Sequence, residues 1–211
     1  MTLAPRLLAL SWIALLAITG CHRQDTAATR PATKAAGADN STFVLVAYYT
    51  RTGNTKQMAD AVAEGARRIE GVAVDTKAIA EVTVANLERA DGLVLGGPTH
   101  YANIPGPMKT ILDKWASKHH VDFEDKVGGA FATGGDLTGG KEHVIVSLLL
   151  YMLNNRMVVV GPISKQGVGG WGAMGAGADT GPGDDGLSED ELEGARRLGE
   201  RVAEVSRRRA E

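Results

Sequence analysis

One cysteine, Cys21, occurs among 211 residues, so no disulfide can form within the chain. Several nucleotide signatures are missing as well. No G-x-x-x-x-G-K-[ST] is present, so no lysine is placed to reach triphosphate oxygens, which argues against a nucleotide hydrolase. No G-x-G-x-x-G follows the first apolar segment, which argues against a dinucleotide fingerprint there. Tyr48 and Tyr49 stand where a phosphorylatable receiver domain would need acidic residues. The formal charge is −2, without the basic excess that nucleic-acid binding calls for. Asp184, Asp185, Glu189, Asp190 and Glu191 lack the ligand spacing of an EF-hand. His119 and His120 come without further ligands, and no metal site is expected. The chain has no internal repeat.

The N-terminal apolar run over 7–18 is shorter than the roughly 20 residues a spanning helix requires. Preceded by Arg6 and followed by Thr19 and Gly20, it reads as an export signal. Ile18-Thr19-Gly20-Cys21 resembles a bacterial lipobox. That resemblance implies removal of residues 1–20, acylation of Cys21 as the new N-terminus, and a lipid anchor in the cell envelope. His22, rather than aspartate, leans the sorting towards a periplasm-facing outer-membrane position. Acyl chains hold a protein at a membrane without spanning it. The alternative is an ordinary cleavage site beside a chance thiol. Residues 21–41 are rich in Ala, Thr and Gly and have too few large apolar groups to offset ordering entropy, so they read as a flexible tether. Residues 42–208 are long enough for one domain with a sizeable core.

At the start of that domain an apolar run leads into Thr50, Arg51, Thr52, Gly53, Asn54 and Thr55. Three hydroxyls that can donate to phosphate oxygens, a glycine that admits close backbone approach, and the opening N–H groups of a helix make a phosphate cradle. The plainer reading is a strand-to-helix turn with a threonine or asparagine N-cap. The helix that follows carries Met58, Ala61, Val62, Gly65, Ala66 and Ile69 at the spacing of one buried face.

Strand patterns fall at 42–49, 72–77, 92–96, 126–132 and 157–161, and helical patterns at 54–69, 106–118, 142–154 and 188–206, with a shorter helix at 84–90. Ser188 and Glu191 form a capping box, and the acidic first turn and the Arg207, Arg208, Arg209 cluster suit the two ends of one terminal helix. Alternation of this kind implies an α/β fold with a parallel sheet covered on both faces. The run over 144–153 is too apolar for a single stripe: it is either deeply buried or a subunit contact.

In a doubly wound sheet of order 2-1-3-4-5, ligands bind where the loops after the first and third strands diverge. The loop after the third strand holds Pro98, Thr99, His100, Tyr101, Ala102 and Asn103, in which Tyr101 can offer a ring face to a heterocycle. The loop after the fourth strand, with Thr133, Gly134, Gly135, Asp136 and Gly139, can close the other side.

Together these loops resemble the flavodoxin superfamily, and most closely the WrbA-type NAD(P)H:quinone oxidoreductases. The resemblance runs over 42–205 and also takes in Gly106, Met108, Leu112 and Asp113 and the helix pattern over 187–195. It implies a flavodoxin-like, five-stranded doubly wound sheet of order 2-1-3-4-5. It also implies noncovalent FMN, with its phosphate in the first loop and its ring against the second and third. NAD(P)H is the implied electron donor, a quinone or another small redox acceptor the partner, and self-association the favoured state. In such proteins the hydride chemistry is the flavin's and the protein supplies position and electrostatics. No general acid or base is assigned; His100 is the candidate, against a role in fixing its loop. Trp115 reads as core, although an aromatic in this region of the family lies near a neighbouring subunit's flavin. Trp171, in a glycine-rich segment, is assigned to a flap over the site.

One departure concerns activity. Where the family carries a histidine near the flavin's substrate face, this chain reads Asn154-Asn155-Arg156-Met157. Asparagine can hydrogen-bond a quinone oxygen but cannot carry an imidazolium's charge. Export would also separate the protein from the cytoplasmic nicotinamide supply, which leaves a protein thiol, a quinol or a redox protein as other donors. Three functions follow: an exported FMN-dependent quinone reductase, a flavodoxin-like electron carrier, or a flavin-binding module without turnover.

Overall fold

The computed structural model describes residues 41–136, 138–163, 174–180 and 186–211. Strand β1 (Thr42–Tyr48) lies between β2 (Val72–Ala78) and β3 (Gly92–Pro98), and β4 (Val127–Gly134) and β5 (Val158–Val159) extend the sheet beyond β3. All pairings are parallel and the order is β2-β1-β3-β4-β5, as the resemblance implies.

Every residue of β1 is buried because helices cover both faces of the sheet. Phe43, Leu45 and Ala47 face one core with Met108, Leu112 and Trp115 of α3 (Gly106–Ser117) and Leu148 and Met152 of α4 (Lys141–Asn154). Val44, Val46 and Tyr48 face the other, with Met58 and Val62 of α1 (Asn54–Arg67) and Leu198 and Val202 of α5 (Glu189–Ala210). The short α2 (Val84–Arg89) begins at a capping box of Thr83 and Asn86. α1 and α5 touch at glycines: a Cβ at Gly199 would sit 1.9 Å from the Val62 carbonyl oxygen, and one at Gly65 as close to that of Arg196.

Two features differ from the sequence pattern. The fifth strand is shorter than expected, and a sixth, β6 (Ala176–Asp179), pairs with the second half of β4 through Phe131, Ala132, Thr133 and Gly134. β5 pairs only with Val127 and Gly128, so one sheet edge is filled by two pieces of chain. The apolar α4 is neither wholly buried nor a simple surface helix: Val144, Ile145, Leu148 and Met152 are in the core, while Leu150 and Leu153 face solvent. Among the described residues no helix is long and apolar enough to cross a membrane.

Candidate functional site

Because all strands are parallel, the loops after β1, β3 and β4 emerge at one edge of the sheet. In the first loop the Thr50 hydroxyl accepts the Gly53 N–H at 3.1 Å, which leaves its own proton available. Gly53, at φ +106°, is the N-cap of α1, and a Cβ there would meet nothing within 4 Å. Neither Thr nor Asn caps this helix: no side chain bonds its first N–H groups, and its first turn has no acidic residue. α5 has both a capping box and three acidic residues in its first turn. The positive end of α1 is therefore open towards an anion, and that of α5 is closed. Arg51 and Thr52 are exposed beside it, and Asn54 is half-buried.

Thr55 has a second role that its place in the motif does not reveal. It is 2% exposed, and its hydroxyl meets that of the equally buried Thr133 at 2.8 Å. With Thr133 donating, the Thr55 proton stays free for a phosphate oxygen.

The second loop is a two-residue hairpin. His100 and Asn103 exchange backbone hydrogen bonds of 2.9 and 3.0 Å across Tyr101 and Ala102, both at positive φ (49° and 59°). Turns of this hand favour Asn-Gly, so an alanine and a tyrosine here are strained. The turn leaves Tyr101 fully exposed. The His100 ring is half-buried and stands edge-on to Tyr49, centroids 6.2 Å apart, and Asn103 accepts the Ile104 N–H through Oδ1 at 2.8 Å. His100 thus fixes the loop against the end of β1. Pro98 closes β3, and the Thr99 hydroxyl is buried with no partner among the described residues.

The third loop continues from Thr133 and Gly134 through the exposed Gly135 and Asp136. Asp136 folds it back, accepting the Thr138 N–H on its carboxylate and the Gly139 N–H on its carbonyl, each at 3.1 Å. A Cβ on Gly140 would lie 2.8 Å from that of Ala102, so the second and third loops touch there. Thr133 is the hub of the site: its hydroxyl holds the first loop, and its carbonyl accepts the Thr99 N–H of the second at 2.7 Å.

These residues fit FMN. An open helix terminus with unspent hydroxyls suits a phosphate, and an exposed ring beside a buried, unpartnered hydroxyl suits a planar heterocycle with polar edges. The flavin, when bound, supplies the redox chemistry. Among the described residues no cluster of His, Cys, Asp and Glu could hold a metal ion.

Other residues singled out in the sequence lie elsewhere. Asn154, Asn155 and Arg156 precede β5 and therefore sit at the opposite edge of the sheet; the Arg156 carbonyl accepts the Asp125 N–H just before β4 begins. β4 spans eight residues, roughly 25 Å, so these asparagines cannot reach the chain's own three loops. Asn155 instead donates to the Tyr151 carbonyl at 2.7 Å, closing the end of α4. Trp115 is buried in the core, and His119 and His120 are exposed beyond α3. Trp171 and Cys21 lie outside the described residues. The sequence pattern did not single out Lys141 and Asp179, which meet beneath the third loop. Its only trace was a lysine opening an apolar helix, where an acidic residue is usual.

A family model described as NADPH-dependent FMN reductase matches residues 41–166. A flavodoxin of Aquifex aeolicus (strain VF5) is 38% identical over 164 residues, covering 76% of this chain and 85% of that protein. An NAD(P)H dehydrogenase (quinone) of Azorhizobium caulinodans is 35% identical over 194 residues, covering 77% of this chain and 96% of that protein. A solved flavodoxin, WrbA-like protein from Agrobacterium tumefaciens superposes with a TM-score of 0.64 at 27% identity, over 80% of this chain and 99% of that one.

Proposed function

This chain belongs to the NADPH-dependent FMN reductase family and is an FMN-dependent oxidoreductase of flavodoxin-like fold, and from that premise we propose that it is a two-electron NAD(P)H:quinone reductase. The observation that carries the reading is the three-loop cradle tied together through Thr133, with an anion-ready helix end at one side and an exposed Tyr101 at the other. The first loop holds the flavin phosphate. The second and third hold the ring, which leaves one face open to a nicotinamide and then to a quinone. His100 is a positioning residue in this reading: its ring packs on Tyr49 and its backbone pairs with Asn103.

The relative that carries the name flavodoxin supports a second reading, a single-electron carrier. Stepwise anaerobic reduction of the FMN-loaded domain separates the two. A reductase passes from oxidised to fully reduced flavin with little one-electron-reduced form; accumulation of that form as the main species at half-reduction would contradict the reductase reading.

We propose further that residues 1–20 are removed on export and that a lipid on Cys21 holds the domain at the periplasmic side of the outer membrane through the 21–41 tether. The support is the lipobox-like Ile18-Thr19-Gly20-Cys21 and the apolar run before it. At that location the donor is NAD(P)H where it is supplied, or a quinol or redox protein in its place.

A further inference from the structure

Lys141 opens α4, where the positive end of a helix disfavours a cation, and its side chain is only 9% exposed. A buried ammonium needs partners. Its Nζ donates to the Asp136 carbonyl at 3.0 Å and to the Asp179 carboxylate at the end of β6. An ammonium has three N–H donors, and the third meets no acceptor among the described residues. The stem passes under Gly134: a Cβ there would lie 2.9 Å from Lys141 Cγ and 3.3 Å from the Thr99 hydroxyl, itself buried and unpartnered. The lysine stem and the Thr99 hydroxyl therefore flank one glycine of the third loop, and the ammonium at the end of that stem holds the same loop at Asp136.

Anchoring the third loop alone does not call for a charge, since well-packed apolar residues usually serve as well as a buried ion pair. Two hydrogen bonds donated by backbone N–H groups also anchor this edge without it. The Thr180 N–H reaches the Gly134 carbonyl, and the Asp179 N–H reaches Glu191 Oε1, each at 2.6 Å. Asp179 is 37% exposed, so water screens the carboxylate while the ammonium stays in a low-dielectric setting. Of the two charges the cation is therefore the less screened.

We propose that Lys141 supplies the flavin pocket with a fixed positive charge, offset by Asp179, that favours the reduced cofactor over the oxidised one. This rests on the FMN reading above. Hydride uptake brings two electrons and one proton and so adds one negative charge to the site. A nearby buried cation lowers the energy of that state.

The test uses the FMN-loaded domain as wild type, Lys141→Met, Lys141→Arg and Asp179→Asn. FMN affinity is read by flavin fluorescence, and the two-electron potential by equilibration with a reference dye under dithionite. Lys141→Met should lose about tenfold in preference for reduced over oxidised FMN, a fall of about 30 mV for a two-electron couple. Asp179→Asn should move the potential the other way, and Lys141→Arg should stay nearer to wild type than Lys141→Met. Both Lys141→Met and Asp179→Asn break the same ion pair, so a purely structural role would shift both in one direction or neither. Either of those results overturns the proposal. If Lys141→Met does not fold, Asp179→Asn decides: a raised potential supports the charge role, and an unchanged or lowered one refutes it. A wild-type domain that binds no FMN at all would overturn the cofactor reading itself, a different signature from bound flavin with unshifted potentials.

Discussion

Thr133 shows how little of a binding site a linear motif states. The first-loop threonines read as candidate phosphate donors because their spacing after an apolar strand and before an amphipathic helix is local information. That Thr55 also has a partner inside the protein depends on a residue brought near by folding, since Thr133 lies 78 positions away. The two roles separate experimentally. Thr55→Val leaves the Thr133 hydroxyl buried without its partner and should cost about 1–3 kcal/mol of stability in the FMN-free domain. Thr52 is exposed and without such a partner, so Thr52→Val should change that stability by less than about 0.5 kcal/mol. Each should weaken FMN binding by roughly 1.5–3 kcal/mol, the value of a hydrogen bond to a charged group. Denaturation of the apoprotein and fluorescence titration with FMN measure the two effects. Unchanged affinity in the double variant would refute the phosphate cradle.

At the scale of elements, what could be read early is what depends on near neighbours. The Ser188–Glu191 capping box formed as its spacing indicated, with Ser188 Oγ accepting from the Glu191 N–H and the Glu191 carboxylate accepting from the Ser188 N–H. The strand Ala176–Asp179 escaped notice because Ala-Gly-Ala-Asp has no β-branched or aromatic residue; it is a strand only because β4 offers an open edge. Gly65 was legible on the buried face of α1, but not the backbone that it meets there, and Gly199 was silent. In one sequence a helical glycine signals a weak position, yet here Gly65 and Gly199 let two backbones meet. Gly199→Ala should push the helices apart and cost about 3 kcal/mol, the upper part of the range for overpacking. Chemical denaturation is the measurement, and a loss below about 0.5 kcal/mol would show that the helices separate easily. That contact also bears on the first loop, because the helix that carries the open N-terminus is the one packed against α5.

For the whole molecule, parallel strands give the domain two unlike edges. One carries the three loops proposed to hold FMN. The other carries Asn154 and Asn155, together with the start of β1. Parallel topology alone decides this separation, which no local pattern in the sequence reveals. If the tether ends in a lipid, cell fractionation should find the protein with membranes, and Cys21→Ser should release it to the soluble fraction; a wild-type protein that is soluble after export would contradict the anchor. The central claim concerns the other edge and is tested most directly by anaerobic titration of the tether-free domain, loaded with FMN, with NADPH and then NADH while flavin absorbance is followed. The reductase account predicts rapid bleaching of bound flavin and its return on addition of benzoquinone. Tightly bound FMN that neither nucleotide reduces would contradict it and leave the carrier in its place.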